Sequence, residues 1–262
     1  PQEKPKTKAD NLIELIQKMT PEIAKALPRH LTGERMARIV LTAIRINPKL
    51  AECTQASFLG CVLSCSMVGL EPNTPLQLAY LIPRMNRKTN PPRLECTLLI
   101  GYHGLIDLAG RAGTNVVAYA VRKGDGFNYQ LGTVPKIWHI PSELPDREAQ
   151  PITHAYAVSK TADGRQQFTV LTAAQIEARR ARSSAANDGP WISDYEAMCC
   201  KTAVRAHSKW MPKSSEKSES LGRALAIEEA PENGTALLSA MDPAVTKVLE
   251  SSGVDTSEPG AE

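Results

Sequence analysis

Lys201, Arg205 and Lys209 recur every fourth residue within GPWISDYEAMCCKTAVRAHSKWMP (189–212), a spacing that places them on one side of a helix. On a wheel of about 100° per residue with Tyr195 at zero, Met198, Cys199, Thr202, Ala206 and Trp210 fall within about 60° of zero and read as the buried face. The three cations fall at about 240°, 280° and 320°, on its shoulder. A solubilising face sits opposite the core and mixes both signs. A one-signed stripe beside the core lines a cleft wall, where low-dielectric surroundings strengthen its field toward a polyanion. The chemistry this spacing predicts is phosphate binding, the alternative being a merely basic surface helix.

Other cations extend the pattern. Arg179, Arg180 and Arg182 crowd the preceding helix, Arg122 and Lys123 end a strand, and Lys160 and Arg165 flank an Ala-Asp-Gly turn. RMNRKTNPPR (84–93) carries four cations and no acid. Residues 213–262 hold four Lys/Arg against ten Asp/Glu, which leaves 27 cations and 18 anions in residues 1–212. A basic body with an acidic tail points to a polyanionic partner for the body, and nucleic acid fits a basic surface of this breadth. Tyr102, Trp191 and Trp210 lie in the same regions, where they either stack on bases or anchor helices to a sheet.

Signatures of catalysis are thin. The chain has no GxxxxGK[ST] to cradle a nucleotide triphosphate and no HExxH. His30, His103, His139, His154 and His207 are scattered at spacings that build no metal site. Asp194 and Glu196, two apart on a helix, point about 200° away from each other and cannot share one Mg²⁺. No catalytic residue, metal or cofactor is expected. The six cysteines include no CxxC pair; they read either as a soft-metal site or, preferably, as small buried hydrophobes in a reducing cytosol. No apolar run approaches the ~20 residues that span a bilayer, and PQEKPKTKAD lacks the apolar core of a secretory signal. Two rival classes stand beside nucleic-acid binding: a divalent-metal nuclease, and an adaptor whose basic face meets an acidic protein.

The elements that must position these residues are helical first and then mostly stranded. Asp10 caps NLIELIQKM, Thr20-Pro21 opens a second short helix ended by Pro28, Thr32 caps GERMARIVLTAIRIN, and Thr54 opens QASFLGCVLSCSMV with Gly69 as its terminator. Strands are predicted over QLAYLIP (77–83), LECTLLIG (94–101), NVVAYAVRKG (115–124), THAYAVSK (153–160) and QFTVLT, with GDG (124–126) and ADG (162–164) turning between paired strands. GYHGLIDLAGRAG (101–113) is a helix between strands, and TAAQ (172–175) is a capping box for the next. Locally paired strands beside segregated helices indicate an α+β fold. Residues 1–212 form the working domain, and 213–262 an acidic, flexible tail with at most a short helix around 236–250.

These residues together resemble the RecT family of phage single-strand annealing proteins, within the RecT/Redβ group. The resemblance runs from about Ala24 to Pro212. It rests on ALPRHLTGERMARI, SFLGCVLSCSMVGLEPNTPLQLAYLIP, IGYHGLIDLAGRAG, PITHAYAV with DGRQQFTVLT, and the opening segment. It implies a small sheet backed by a long helix, similar to the annealing core of recombination mediators, and an oligomeric ring or helical filament. It also implies ATP-independent annealing of single-stranded DNA into duplex in a basic groove across subunits. A RecE-type phage exonuclease and host single-strand-binding protein are the implied partners, and the bacterial cytoplasm is the implied location. Lys201, Arg205, Lys209 and Arg111 match cationic family positions; His103 stands where the family commonly has Arg. The DNA-contacting set expected here is Tyr102, His103, Arg111, Arg122, Lys123, Lys160, Arg165, Arg179, Arg180, Arg182, Lys201, Arg205, Lys209 and Trp210.

Overall fold

The computed structural model describes residues 7–183, 186–211 and 218–229. Two compact units are present, one built from residues up to Gly104 together with those from Ser220 onward, the other from Leu105–Glu219.

The first unit opens with α1 (Lys8–Ala26), whose N-cap is Thr7, with Asp10 as the reciprocal partner of a capping box. One helix runs through Pro21 where a break at Thr20-Pro21 was expected. The missing N–H of a mid-helix proline costs about 3 kcal/mol. Met19 and Ile23, on either side of it, are both buried on the continuous face that also carries Leu12, Leu15 and Ile16. Burial of several large side chains at roughly 1.5–3 kcal/mol each overrides the local preference. Thr32 caps α2 (Gly33–Ile46). A Cβ at Gly33 would come within 2.8 Å of the Ala24 Cβ, so glycine permits the close crossing of α1 and α2. Thr54 caps α3 (Gln55–Val68), and Gly69 ends it at φ 69°. This helix is buried all round, as a helix without a polar face must be. The Ser57 hydroxyl accepts from the Cys96 N–H at 2.9 Å, tying α3 to the hairpin of β1 (Ala79–Asn86) and β2 (Arg93–Ile100).

Helix α4 (Tyr102–Arg111) follows directly. Both glycines of Gly101-Tyr102-His103-Gly104 serve close approach: a Cβ at Gly101 would strike the Gln77 carbonyl oxygen, and one at Gly104 the Leu78 carbonyl oxygen.

In the second unit β3 (Thr114–Arg122), β6 (Ile152–Thr161) and β7 (Gln166–Thr172) form an antiparallel sheet in the order β3-β6-β7. A separate hairpin, β4 (Gly126–Gln130) with β5 (Lys136–Ile140), interrupts the chain between β3 and β6. Neither strand is among those predicted above. GDG, expected as a turn between paired strands, instead carries the chain from one sheet to another, because β3 pairs with β6. The ADG turn does join paired strands, with Gly164 at φ 85°. Thr172 and Gln175 form the expected capping box of α5 (Ala173–Arg180). The last stretch divides at Asp194 into α6 (Pro190–Ser193) and α7 (Tyr195–His207). Helix α8 (Glu219–Glu229) falls inside the stretch expected as a tail; the short helix expected around 236–250 lies outside the described residues. The architecture is α+β.

Candidate nucleic-acid interface

Helix α7 lies across β3, β6 and β7. It is received by small side chains: Ala118, Ala120, Ala155, Ala157 and Ser159 alternate onto one sheet face in register. Cys199, Cys200, Ala203, Val204 and His207 are buried on α7, a face rotated by roughly 110° from the one the wheel predicted. The wheel failed because Met198 and Ala206 are only half-buried and Trp210 is 64% exposed. Small residues mark the face that touches the sheet, and an amphipathic count undervalues them. The cation stripe changes accordingly. Lys201 is 5% exposed, Arg205 is half-buried and Lys209 is exposed on a 3₁₀ turn after α7 has ended.

The other sheet face carries Val117, Tyr119, Tyr156, Val158, Phe168 and Val170, with Lys160 between Asn115 and Gln166 at one end. Val117 and Tyr119 remain 38% and 51% exposed. At the opposite end the β4–β5 hairpin covers the face. Phe127 stacks on Tyr156 at 5.7 Å and approaches His154 at 5.2 Å and His139 at 5.7 Å. Asp125, at the root of the hairpin, has a fully buried side chain. It accepts from Arg147 Nε and Nη2 at 2.8 and 2.9 Å, from the Ser142 and Arg122 N–H groups at 2.8 Å each, and lies 3.1 Å from His139 Nε2. The Arg147 guanidinium, helped by those N–H groups, holds the Asp125 carboxyl well below the usual carboxylate range against the opposing effect of burial. His139 Nδ1 lies 3.1 Å from the Tyr156 hydroxyl, which burial raises to about 12.

The expected contact residues fall into distinct environments. Lys123, Lys160, Arg182 and His103 are exposed, and Tyr102 is half-buried with its ring 4.0 Å from that of His103. Arg111 pairs with Asp107 at 2.6 Å and Arg165 with Asp163 at 2.7 Å, both at the surface. Arg179 is half-buried and donates to the Gln175 carbonyl. Two of the set are internal ties. Arg122 bridges the Gln150 carbonyl at 2.8 Å and Glu196 at 2.5 Å. Arg180 donates to the Ala186 carbonyl at 2.7 Å, with its guanidinium 5.7 Å from the Trp191 ring centre and 5.8 Å from that of Tyr195. Trp191 is thus a buried anchor. Lys160 and the cations of α7 belong to opposite faces of the sheet. Of the four cations of RMNRKTNPPR in the first unit, Arg87, Lys88 and Arg93 are exposed at the tip of the β1–β2 hairpin and Arg84 is half-buried.

All six cysteines are free and buried; burial pushes Cys53 and Cys200 up to about 12. Among the described residues no cluster of three or more His, Cys, Asp or Glu is placed to hold a metal ion. No described helix is long and apolar enough to cross a membrane.

Residues 34–237 match the RecT family. Over 244 residues the chain is 42% identical to Protein RecT of Escherichia coli (strain K12), covering 92% of this chain and 86% of that protein. The chain belongs to the RecT family. With that family it is a single-strand annealing protein of homologous recombination. The Gly-Tyr-His-Gly element of this RecT-family chain owes both glycines to backbone packing. The part of the RecT-family unit that sequence reasoning missed is the β4–β5 hairpin with its Asp125 root. Its signal was present in the alternation of Phe127 and Tyr129 against Ile137 and His139 around Leu-Gly-Thr-Val-Pro, two runs of ordinary strand length on either side of a glycine-containing loop.

Proposed function

We propose that this protein pairs complementary DNA strands without nucleotide hydrolysis, holding each strand by its phosphates and leaving the base edges unread. Annealing sets two opposed demands: phosphate repulsion must be neutralised, and Watson–Crick edges must stay free. Cations that contact only the backbone meet both, because phosphate contacts position a strand without reading it. The observation that carries this reading is the tip of the β1–β2 hairpin, where Arg87, Lys88 and Arg93 are exposed in a ten-residue segment without an acid. Within the second unit, Lys123, Lys160, Arg182 and Lys209 are exposed and are offered to phosphates in the same way. In that unit Arg111, Arg165, Arg179 and Arg205 are further phosphate contacts and Trp210 an aromatic one; Tyr102 and His103 are contacts of the first unit. Arg122, Arg180 and Lys201 shape the support beneath.

Residues 1–212 constitute the DNA-binding and self-associating body. A single copy holds a strand weakly, and assembly into a ring or helical filament, with the groove continuing from copy to copy, multiplies the contacts. The acidic segment 213–262 is the part offered to protein partners, a RecE-type exonuclease and the host single-strand-binding protein, in the cytoplasm of a bacterium carrying the phage or prophage. The deciding experiment mixes two complementary oligonucleotides with the protein and no ATP, and images the product by electron microscopy. Accelerated pairing on a multimeric scaffold is the expected result; cleavage in the presence of Mg²⁺, or no pairing, overturns it.

A further inference from the structure

We propose that the outer face of the β4–β5 hairpin is a stacking platform for one unpaired nucleobase of single-stranded DNA, with Trp138 beneath the base and Lys136 at the adjoining phosphate. The proposal rests on the single-strand reading above and adds to it a place where bases, rather than phosphates, are held.

Register divides the hairpin into two faces. Phe127, Tyr129, Ile137 and His139 alternate inward, toward Tyr156 and His154. Asn128 and Gln130 alternate outward, opposite Trp138 and Lys136, with Gly126 opposite Ile140. A two-stranded ribbon has little stability of its own. This one is held by the inward aromatic cluster and by the five donors that converge on Asp125, so its outer face is a fixed surface.

On that surface Trp138 is 54% exposed. Its indole does not stand off the ribbon. A Cβ built on Gly126, its diagonal neighbour across the strands, would lie 3.1 Å from Cη2 and 3.3 Å from Cζ3. Glycine at 126 therefore lets the six-membered ring fold down along the hairpin. A side chain held in place before binding loses little freedom when a partner arrives, and one with an uncovered π surface suits a flat ligand.

Charge selects the ligand. From Gly126 to Ser142 the chain carries no Asp or Glu, and Lys136 lies on the same outward face as Trp138. An indole, a lysine and two amides without an acid complement a base and its phosphate, since base–aromatic stacking is tolerant of sequence and a nearby cation anchors the backbone. A broad apolar face would instead favour a second copy of the chain; here Ile140 is the aliphatic neighbour of Trp138 on the ribbon's outward face, and the exposed Leu131 and Val134 lie in the tip loop. A stacked base keeps its Watson–Crick edge free, so the platform can hold a strand open to its complement.

The test compares wild type with Trp138→Ala, Trp138→Phe and Lys136→Ala on two ligands of equal length, an oligo-dT strand and an abasic sugar–phosphate strand, across a KCl series. Trp138→Ala should weaken oligo-dT binding about tenfold without changing the salt slope, and Trp138→Phe should keep most of the affinity. On the abasic strand Trp138→Ala and wild type should coincide. Lys136→Ala should lower the salt slope on both strands by about 0.7. Because Trp138 is exposed, circular dichroism and the urea midpoint should match wild type. The proposal is overturned if Trp138→Ala binds oligo-dT as wild type does, or if its defect persists on the abasic strand. It also falls if the variant changes the size of the DNA-free protein in sedimentation, which would assign the face to self-association. Failure of wild type to bind or anneal would instead reject the single-strand reading.

Discussion

His207 Nδ1 lies 3.0 Å from Thr169 Oγ1, at the crossing of α7 over β7. The imidazole is fully buried, and its other nitrogen has no partner among the described residues. Burial alone lowers its pKa from 6.5 to about 4. A histidine at the seam between helix and sheet is therefore held neutral by the packing around it.

That neutrality has a pH signature. The unfolded chain takes up a proton near 6.5 and the folded chain only near 4, so the unfolded state binds more protons between those values. The stabilisation is complete above the unfolded pKa and is lost as pH falls toward the folded one, by about 3 kcal/mol in all. Urea midpoints at pH 7 and pH 4.5 should differ strongly for wild type and much less for His207→Gln. Equal pH dependence in the two proteins would remove His207 as the cause.

Asp125 acts in a separate window. Its carboxyl is depressed by Arg147 first and by two N–H donors after it, so its stabilisation is present above about 3.9 and is lost only below that. Asp125→Asn leaves Arg147 facing a neutral amide and should cost about 3–5 kcal/mol. Hydrogen exchange should quicken at β4 and β5 before it does at the centre of β6. Uniform protection in the variant would show that Asp125 does not root the hairpin.

Two glycines of α4 should respond in opposite senses. Gly104→Ala drives a Cβ into the Leu78 carbonyl oxygen, a backbone atom that cannot swing aside, and should destabilise by about 1–3 kcal/mol. A Cβ on Gly110 meets nothing within 4 Å, so Gly110→Ala should stabilise by up to about 1 kcal/mol through helix propensity. Thermal melts of the two variants separate the roles.

Arg87 and Lys88, exposed at the tip of the β1–β2 hairpin, should contribute to DNA affinity through phosphates. Replacing both by alanine should lower the slope of log K against log salt by about 1.4 on single strands, with the same loss on every sequence. A loss that varied with base composition would contradict backbone contact.

Much of the protein is legible from its residues. Thr7, Thr32, Thr54 and Thr172 cap helices in the structure, and the last three were readable because a cap is a local bond between a side chain and an N–H two or three residues on. Gly69 ends α3 for a similarly local reason, its backbone lying in the left-handed region. The α+β class and the RecT-family membership are written in the chain in the same way. What tertiary structure decided is which way each element faces. Pro21 stays inside α1 because Met19 and Ile23 are buried on one continuous face, and α7 turns Cys200, Ala203 and Val204 to the sheet because an alanine-lined surface admits them. Arg122, Arg180 and Lys201 look like surface cations in one dimension, and Trp138 looks like nothing in particular. Their roles depend on Glu196, Trp191 or Gly126, or, for Lys201, on where packing buries it. These causes are distant in sequence, and only a packed chain brings them within reach.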